Sequence, residues 1–398
     1  MAAHVGGQAK VLRTQPPATH DAADAVDALT FGGTYPVTRL AVTDTSLKSK
    51  LSVYGYSTLK PTDLAASAFP AVVLTLAVEN TATTAQTAAF MFNMPMGAWT
   101  DCSRSSANAT KNSASDHIGC MKACASAKDC ASWQFSLGNC LLNTDVPLTH
   151  HLVGSYCGIK SEAGWQVKDG GLTRSTRPLA SGPSMGDMTL RPVLSDGVTA
   201  SFASGDDPAA LYKTFAERGS FPSGSVSSAD AGHGAVAVQT QLAAGAQATL
   251  SIVFAWHFPD RDFSHVILGN MYTELWSDSS AVATELATEA KLASVVKDIN
   301  SHHYAIASPE NPSPVWLKDQ LLNQWSHFHM LMWYKDGRLR EYEAWSCDDV
   351  DSVHNDYQRH LPYLLFLTET LKDKMRAWAA AQCGQQTLDK CRSYDAGM

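Results

Sequence analysis

Glu343, Asp349, Asp351 and His354 are the side chains here best able to do chemistry, and all four fall in "GRLREYEAWSCDDVDSVHNDYQRHLPYLL", residues 337 to 365. That stretch carries nine acidic or basic side chains and two histidines, in a chain where only 17% of residues are charged. Carboxylates grouped beside a helical apolar run have two uses. They can solvate the start of a helix, or one can attack the anomeric carbon of a sugar while its neighbours hold the ring hydroxyls. A concrete structural alternative is that Glu341 and Glu343 pair with Arg338 and Arg340 on a solvated turn.

Other groupings are poorer. "HFH" (His327, His329) and "HH" (His302, His303) lack a metal-ligand spacing. His354 and His360 of "HNDYQRH" are six apart, which on a helix puts them on different faces. "GGLTRSTRPLASGPSMGDM" is rich in glycine but lacks the order and lysine of a phosphate loop, and reads as a loop. No metal and no cofactor is therefore expected. "WHFPDRDF" offers Trp256 and His257 either to a substrate at a domain junction or to a core that seals that junction.

The elements that must position these groups belong to a chain of 398 residues, enough for two or three domains. A net charge of −8 supplies no basic field for nucleic acid or anionic lipid. No run of about 18 apolar residues occurs, so no transmembrane span is expected. Ten Trp and twelve Tyr are flat rings that serve sugar stacking and core packing alike. Residues 1–30 have no apolar h-region, so they are not a signal peptide and read as a disordered, Ala-rich leader.

Six of the nine cysteines, Cys102, Cys120, Cys124, Cys130, Cys140 and Cys157, crowd one loop-rich stretch, the pattern of a disulfide scaffold in an oxidising compartment. Within it, "NAT" at Asn108 matches a glycosylation acceptor. A secreted-type module without a secretion signal suggests that the true N-terminus is missing.

Around this block the chain alternates like half-buried sheet. Val72, Leu74, Leu76 and Val78 share one face; so do Val236, Val238 and Leu242, and then Leu250, Ile252, Phe254 and Trp256. The last two runs are joined by "AAGA", which suits a tight connection. After Pro259 the texture turns helical. "TELWSDSSAVATELATEAKLASVVKDI" reads as one long helix with Val282, Leu286, Ala290, Ala293 and Val296 at helical spacing. A Pro-rich break follows, and the helix restarts near Pro314 or Val315 with Leu317, Leu321, Trp325, Phe328 and Met332 on one face. A third helix is expected around Leu361, Leu364, Leu365, Leu371, Met375 and Trp378.

Several stretches in order resemble glycoside hydrolase family 116, which includes non-lysosomal glucosylceramidase and bacterial β-glucosidases. They are "GGTYPVTRL" (32–40), "VYGYSTLKPTD" (53–63), "SAFPAVVLTLAVEN" (67–80), "SIVFAWHFPDRDF" (251–263), "LGNMYTELWSD" (268–278) and "PVWLKDQLLNQWSHFHMLMWYKDGRLREYE" (314–343). The cysteine block resembles a PAN/apple-type module, a small disulfide fold that binds proteins or glycans.

The resemblance implies a multidomain β + α chain: an antiparallel β-sandwich (31–101 and 161–258), a disulfide-rich insertion (102–160), a linking helix and Pro-rich linker (259–313), the first helices of an (α/α)6 barrel (314–382) and a tail (383–398). It implies retaining cleavage of β-glucosides, glucosylated lipids among them, with Glu343 as nucleophile and Glu341 as its rival. Asp351 or His354 would bind sugar hydroxyls, although an unbroken count puts His354 where the family keeps an acidic residue. The acid/base Asp lies in later barrel helices, so the chain as printed is expected to lack it. The contrasting expectation, from the six-cysteine module, is a non-catalytic protein that binds glycans or proteins.

Overall fold

The computed structural model describes residues 1–15, 24–61, 63–95, 99–103, 109–145, 150–160, 164–176, 185–227, 231–263, 266–324, 331–335, 337, 339–344, 347–350, 363–365 and 367–381. Asn108, Asp351, His354, Trp325 and Phe328 lie outside them, as do the side chains of Glu343, Asp349, Cys102 and Trp378.

The first strands are β1 (Ala2–Val5), β2 (Gln8–Val11), β3 (Ala28–Thr34), β4 (Val37–Thr43) and β5 (Ser49–Tyr56). A one-turn helix, α1 (Leu64–Ser67), precedes β6 (Ala71–Asn80) and β7 (Gln86–Pro95). The cysteine block then forms β8 (Trp99–Ser103), β9 (Thr110–Asn112), α2 (His117–Ser126), β10 (Ser132–Ser136), β11 (Asn139–Asn143) and β12 (His150–Ile159). The chain goes on through β13 (Trp165–Lys168), β14 (Gly171–Ser175), β15 (Asp187–Pro192) and β16 (Thr199–Gly205). Helix α3 (Pro208–Arg218) leads into β17 (His233–Leu242) and β18 (Gln247–His257).

Two antiparallel sheets face each other. The larger runs β13-β14-β15-β18-β6-β5-β4-β3 and the smaller β16-β17-β7-β1-β2. Their inner faces meet in one core, where Val5, Phe90, Val236 and Val238 of the small sheet pack against Val53, Leu76, Leu190, Leu250 and Ile252 of the large one. The period-two runs predicted this: Leu76 and Val78 point inward as expected. Their alternates are not left to water. Val73 and Val253, on the outer face of the large sheet, are covered by helices, and α3 covers the small sheet with Leu211, Tyr212 and Phe215. The antiparallel β-sandwich is as expected, and helices cover both of its outer faces.

Three local readings are corrected. Residues 1–15 do not belong to a disordered leader: β1 pairs with both β2 and β7, and Ala2, Ala3 and Val5 are buried. Small alanines carry little strand signal alone, and pairing with β7 supplies what composition does not. The "AAGA" turn does not close a hairpin, because β17 belongs to the small sheet and β18 to the large one. The connection is an arch across the sandwich, with Gly245 at φ +74° and its N–H donating to the Asn80 carbonyl at 3.0 Å. The "GGLTRS…GDM" segment is not wholly a loop, since β14 and the start of β15 are built from it.

The cysteine block folds as a small unit with its own sheet, β8-β12-β10-β11-β9, and its own core around Cys120, Met121, Cys124, Trp133 and Cys140. Two disulfides, Cys120–Cys140 and Cys124–Cys130, staple it, and Cys157 is also disulfide-bonded.

Beyond β18 the chain makes a small hairpin, β19 (Asp262–Phe263) with β20 (Val266–Ile267), and a 3-10 turn at Met271–Glu274. Helices α4 (Ser279–Leu286) and α5 (Glu289–Ala307) follow. The expected single helix is thus broken twice. The Asp278 side chain accepts from the Ala281 N–H and the Thr288 side chain from the Lys291 N–H, so each starts a new helix. The break shifts the helical phase: Leu292, Val295 and Ile299 are buried, while the predicted Val296 is 40% exposed.

Helix α6 (Val315–Asn323) starts where the proline break predicted. It is followed not by more of the same helix but by β21 (Leu331–Trp333), β22 (Leu339–Ala344) and β23 (Cys347–Val350), an antiparallel three-stranded sheet. Met332 therefore lies on a strand. Helix α7 (Thr368–Ala381) comes last. Leu364, Leu365 and Met375, expected on its apolar face, are about half exposed, whereas Tyr363, Leu367 and Lys374 are buried. No helix among the described residues is long and apolar enough to cross a membrane.

Candidate active site

The "KDG" of the last matching stretch, expected among the first barrel helices, instead falls between β21 and β22. Trp333 pairs with Leu339 and Leu331 with Glu341, with Gly337 in the left-handed region at φ +88°. Glu343 lies on β22, two residues beyond Glu341.

This hairpin is tied to the segment leaving the sandwich. Asn270 forms a bridge with Tyr334, the Lys335 N–H donates to the Gly269 carbonyl at 3.2 Å, and the Lys335 ammonium lies 2.9 Å from the Glu274 carboxylate. Between hairpin and sandwich is a cavity of about 230 Å³. Its walls come from the segments after β3 and β5 (Tyr35, Thr58, Lys60), the exit segment (Arg261, Asn270, Tyr272) and the hairpin (Met332, Trp333, Leu339).

Trp333 and Tyr35 give this cavity aromatic walls, while Lys60, Arg261 and Asn270 give it hydrogen-bonding groups, a combination suited to a polyhydroxylated ring. The Thr58 hydroxyl is buried and has no partner among the described residues. Tyr272 is fixed by its hydroxyl, which donates to the Phe258 carbonyl at 2.9 Å and accepts from the Phe258 N–H at 3.0 Å. Burial pushes the Tyr272 hydroxyl up to about 12, so it stays a neutral donor.

His257 sits behind this wall, whereas Trp256, its neighbour on β18, points to the opposite face of the sheet. His257 is buried, its Nε2–H donates to the Trp276 carbonyl at 2.8 Å, and its ring meets that of Tyr272 edge-on at 5.6 Å. Trp256 packs against Phe254, ring centroids 5.4 Å apart. Neither lines the cavity.

Glu341 is buried too. Its Oε2 lies 3.3 Å from Nζ of Lys374 and 3.4 Å from the Tyr363 hydroxyl, and the ammonium stands 5.5 Å from the centroid of the Tyr363 ring. A carboxylate with 1% of its side chain exposed is not on a solvated turn. Among the described residues no group of His, Cys, Asp and Glu is placed to hold a metal.

A family model described as beta-glucosidase 2, glycosyl-hydrolase family 116 N-term, matches residues 3–294. The chain belongs to glycoside hydrolase family 116. No curated protein matches it. Membership implies a glycoside as substrate, and the match starts inside β1, in keeping with that strand's place in the sandwich.

Sequence reasoning did not single out Thr58, Asn270, Tyr272, Trp333 or Lys374. Asn270 and Tyr272 stand within "LGNMYTELWSD", a stretch that carried the resemblance, and Thr58 within "VYGYSTLKPTD". No local signal marks Lys374, because its partner is 33 residues away.

Proposed function

We propose that this chain is the front portion of a retaining β-glucosidase that cleaves β-glucosides such as glucosylceramide, with Glu343 as its nucleophile. The observation that supports this best is the junction cavity: the hairpin bearing Glu343 contributes Trp333 to its wall. In a retaining mechanism the carboxylate attacks the anomeric carbon, a glycosyl-enzyme forms, and water then releases the sugar. The second carboxyl, about 5 Å away, protonates the leaving oxygen and later activates that water. The resemblance assigns this group to later helices of an (α/α)6 barrel that starts at α6, and no residue of this chain is given the role. Asp351 or His354 would orient the sugar. Glu341, shut from solvent, would hold β22 in place.

An activated leaving group needs no proton donor, so the nucleophile can be tested in this chain. A 2-deoxy-2-fluoro-β-glucoside with a dinitrophenolate leaving group should add one fluoroglucosyl mass to the wild type and none to Glu343→Gln. Absence of the adduct, or its persistence in the variant, would remove Glu343 from the mechanism.

The stapled cysteine unit, which we read as apple-like, favours a second role in binding a glycan or protein, since it has its own sheet and core. Glycan-array binding lost on reduction would support that role, and a flat array would count against it.

A further inference from the structure

Away from the junction, a second cleft of about 500 Å³ runs between the outer face of the large sheet and α5. Its floor carries a row of hydroxyls, bordered by Val37, Tyr56 and Val193. Strand register sets Tyr54 beside Thr75 and Thr75 beside Ser251, across β5, β6 and β18. Thr75 and Ser251 hydrogen-bond at 2.8 Å and are each only 8% exposed. Thr249 and Ser195 extend this polar floor. Two residues along the same strands, the corresponding row is Tyr56, Val73 and Val253, part of the apolar core beneath the helices. A sheet face covered by a helix ordinarily carries aliphatic side chains throughout. Here it turns to hydroxyls while still shielded from water.

Helix α5 forms the roof, with Leu292, Ala293 and Val296 on one side and Glu289 and Asn300 reaching in. Glu289 is the sole charge lining the cleft among the described residues. A hydroxyl brings one donor and two acceptor sites, so the Thr75–Ser251 pair, which the Tyr56 hydroxyl also joins, retains bonding capacity. Tyrosine rings and the apolar roof suit the C–H faces of a pyranose, and the carboxylate and amide suit its hydroxyls. The volume falls within the usual ligand-site range of about 300–1,000 Å³. We propose that this cleft is a binding site for a neutral oligosaccharide, holding one or two sugar rings apart from the junction cavity. The proposal does not depend on Glu343 being a nucleophile.

Titration calorimetry and saturation-transfer NMR with maltotetraose, and with mannotetraose as a second probe, test it; neither is a β-glucoside, so neither is a substrate of the proposed junction site. At least one of these sugars should bind with a Kd of about 1 mM or tighter. Ala293→Trp fills the cleft and should abolish binding. Glu289→Gln, an exposed change in the first turn of α5, should weaken it roughly fivefold by losing a charge-assisted hydrogen bond. Glu343→Gln should leave binding unchanged. Thermal melts confirm that each variant is folded; if Ala293→Trp is not, Glu289→Gln decides. Failure of both sugars to bind, full binding by both cleft variants, or loss of binding in Glu343→Gln would each overturn the proposal. Loss of Glu343 labelling with cleft binding intact would remove only the catalytic reading.

Discussion

Lys374→Met removes the cation beside a buried carboxylate while keeping a similar aliphatic length. At 3.3 Å and an effective dielectric constant near 20, the attraction between Glu341 and Lys374 is about 5 kcal/mol. Desolvation of both ions offsets much of that, but deleting one ion of a buried pair leaves the other without that counter-charge, which typically costs 3–5 kcal/mol. The Tyr363 hydroxyl, 3.4 Å from the same oxygen, still solvates the carboxylate, so we expect about 3 kcal/mol, near the lower end. Because the pair joins α7 to β22, the loss should appear locally. Hydrogen exchange at the amides of residues 339–344 should quicken by roughly two orders of magnitude, at about 1.4 kcal/mol per decade. The double variant Glu341→Gln/Lys374→Met removes both ions of the pair and should recover most of the protection. Fluoroglucoside labelling should follow the same order, falling in the single variant and returning in the double. Exchange within a factor of about three of wild type in Lys374→Met, or a double variant no better protected than the single, would refute the argument.

Gly234 faces the ring of Trp165, where an added Cβ would lie 2.6 Å from ring carbons. Gly234→Ala should therefore cost about 1–3 kcal/mol through overpacking, and an unshifted melting temperature would contradict the packing. His302 is pulled down to about 4, first by burial and then by the charge of His303. Between pH 6.5 and 4 the unfolded chain takes up a proton at His302 that the native state refuses, so this contribution to stability is complete above pH 6.5 and declines on acidification. His302→Gln should flatten melting temperature against pH over that window, and an identical slope would rule the histidine out. The two disulfides close loops of different length, 20 and 6 residues in separation. Removing Cys120–Cys140 should cost about 3 kcal/mol and removing Cys124–Cys130 about 2 kcal/mol. Equal losses in melts of the two Cys→Ser pairs would argue against loop closure as the cause.

Local pattern by itself determined the strands whose apolar residues recur at period two, such as Leu76 with Val78 and Leu250 with Ile252, because alternation alone decides which side chains meet the opposite sheet. It also determined that the cysteine block is a stapled unit, that a helix restarts at Pro314, and which family the motifs resemble. Only the tertiary structure decided the rest. Ala2 and Ala3 are buried because β7 lies beside them, and nothing local in "AAHV" demands it. The helix break at Thr288 moves Val296 to the surface, since one side-chain cap outweighs a continuous apolar period. Thr58, Asn270 and Trp333 become one cavity only when the hairpin docks on the exit segment. Glu341 and Glu343 look equivalent in the string "EYE". What separates Glu341 is a lysine 33 residues further on, and a pairing that distant is settled by the packing of α7 against β22.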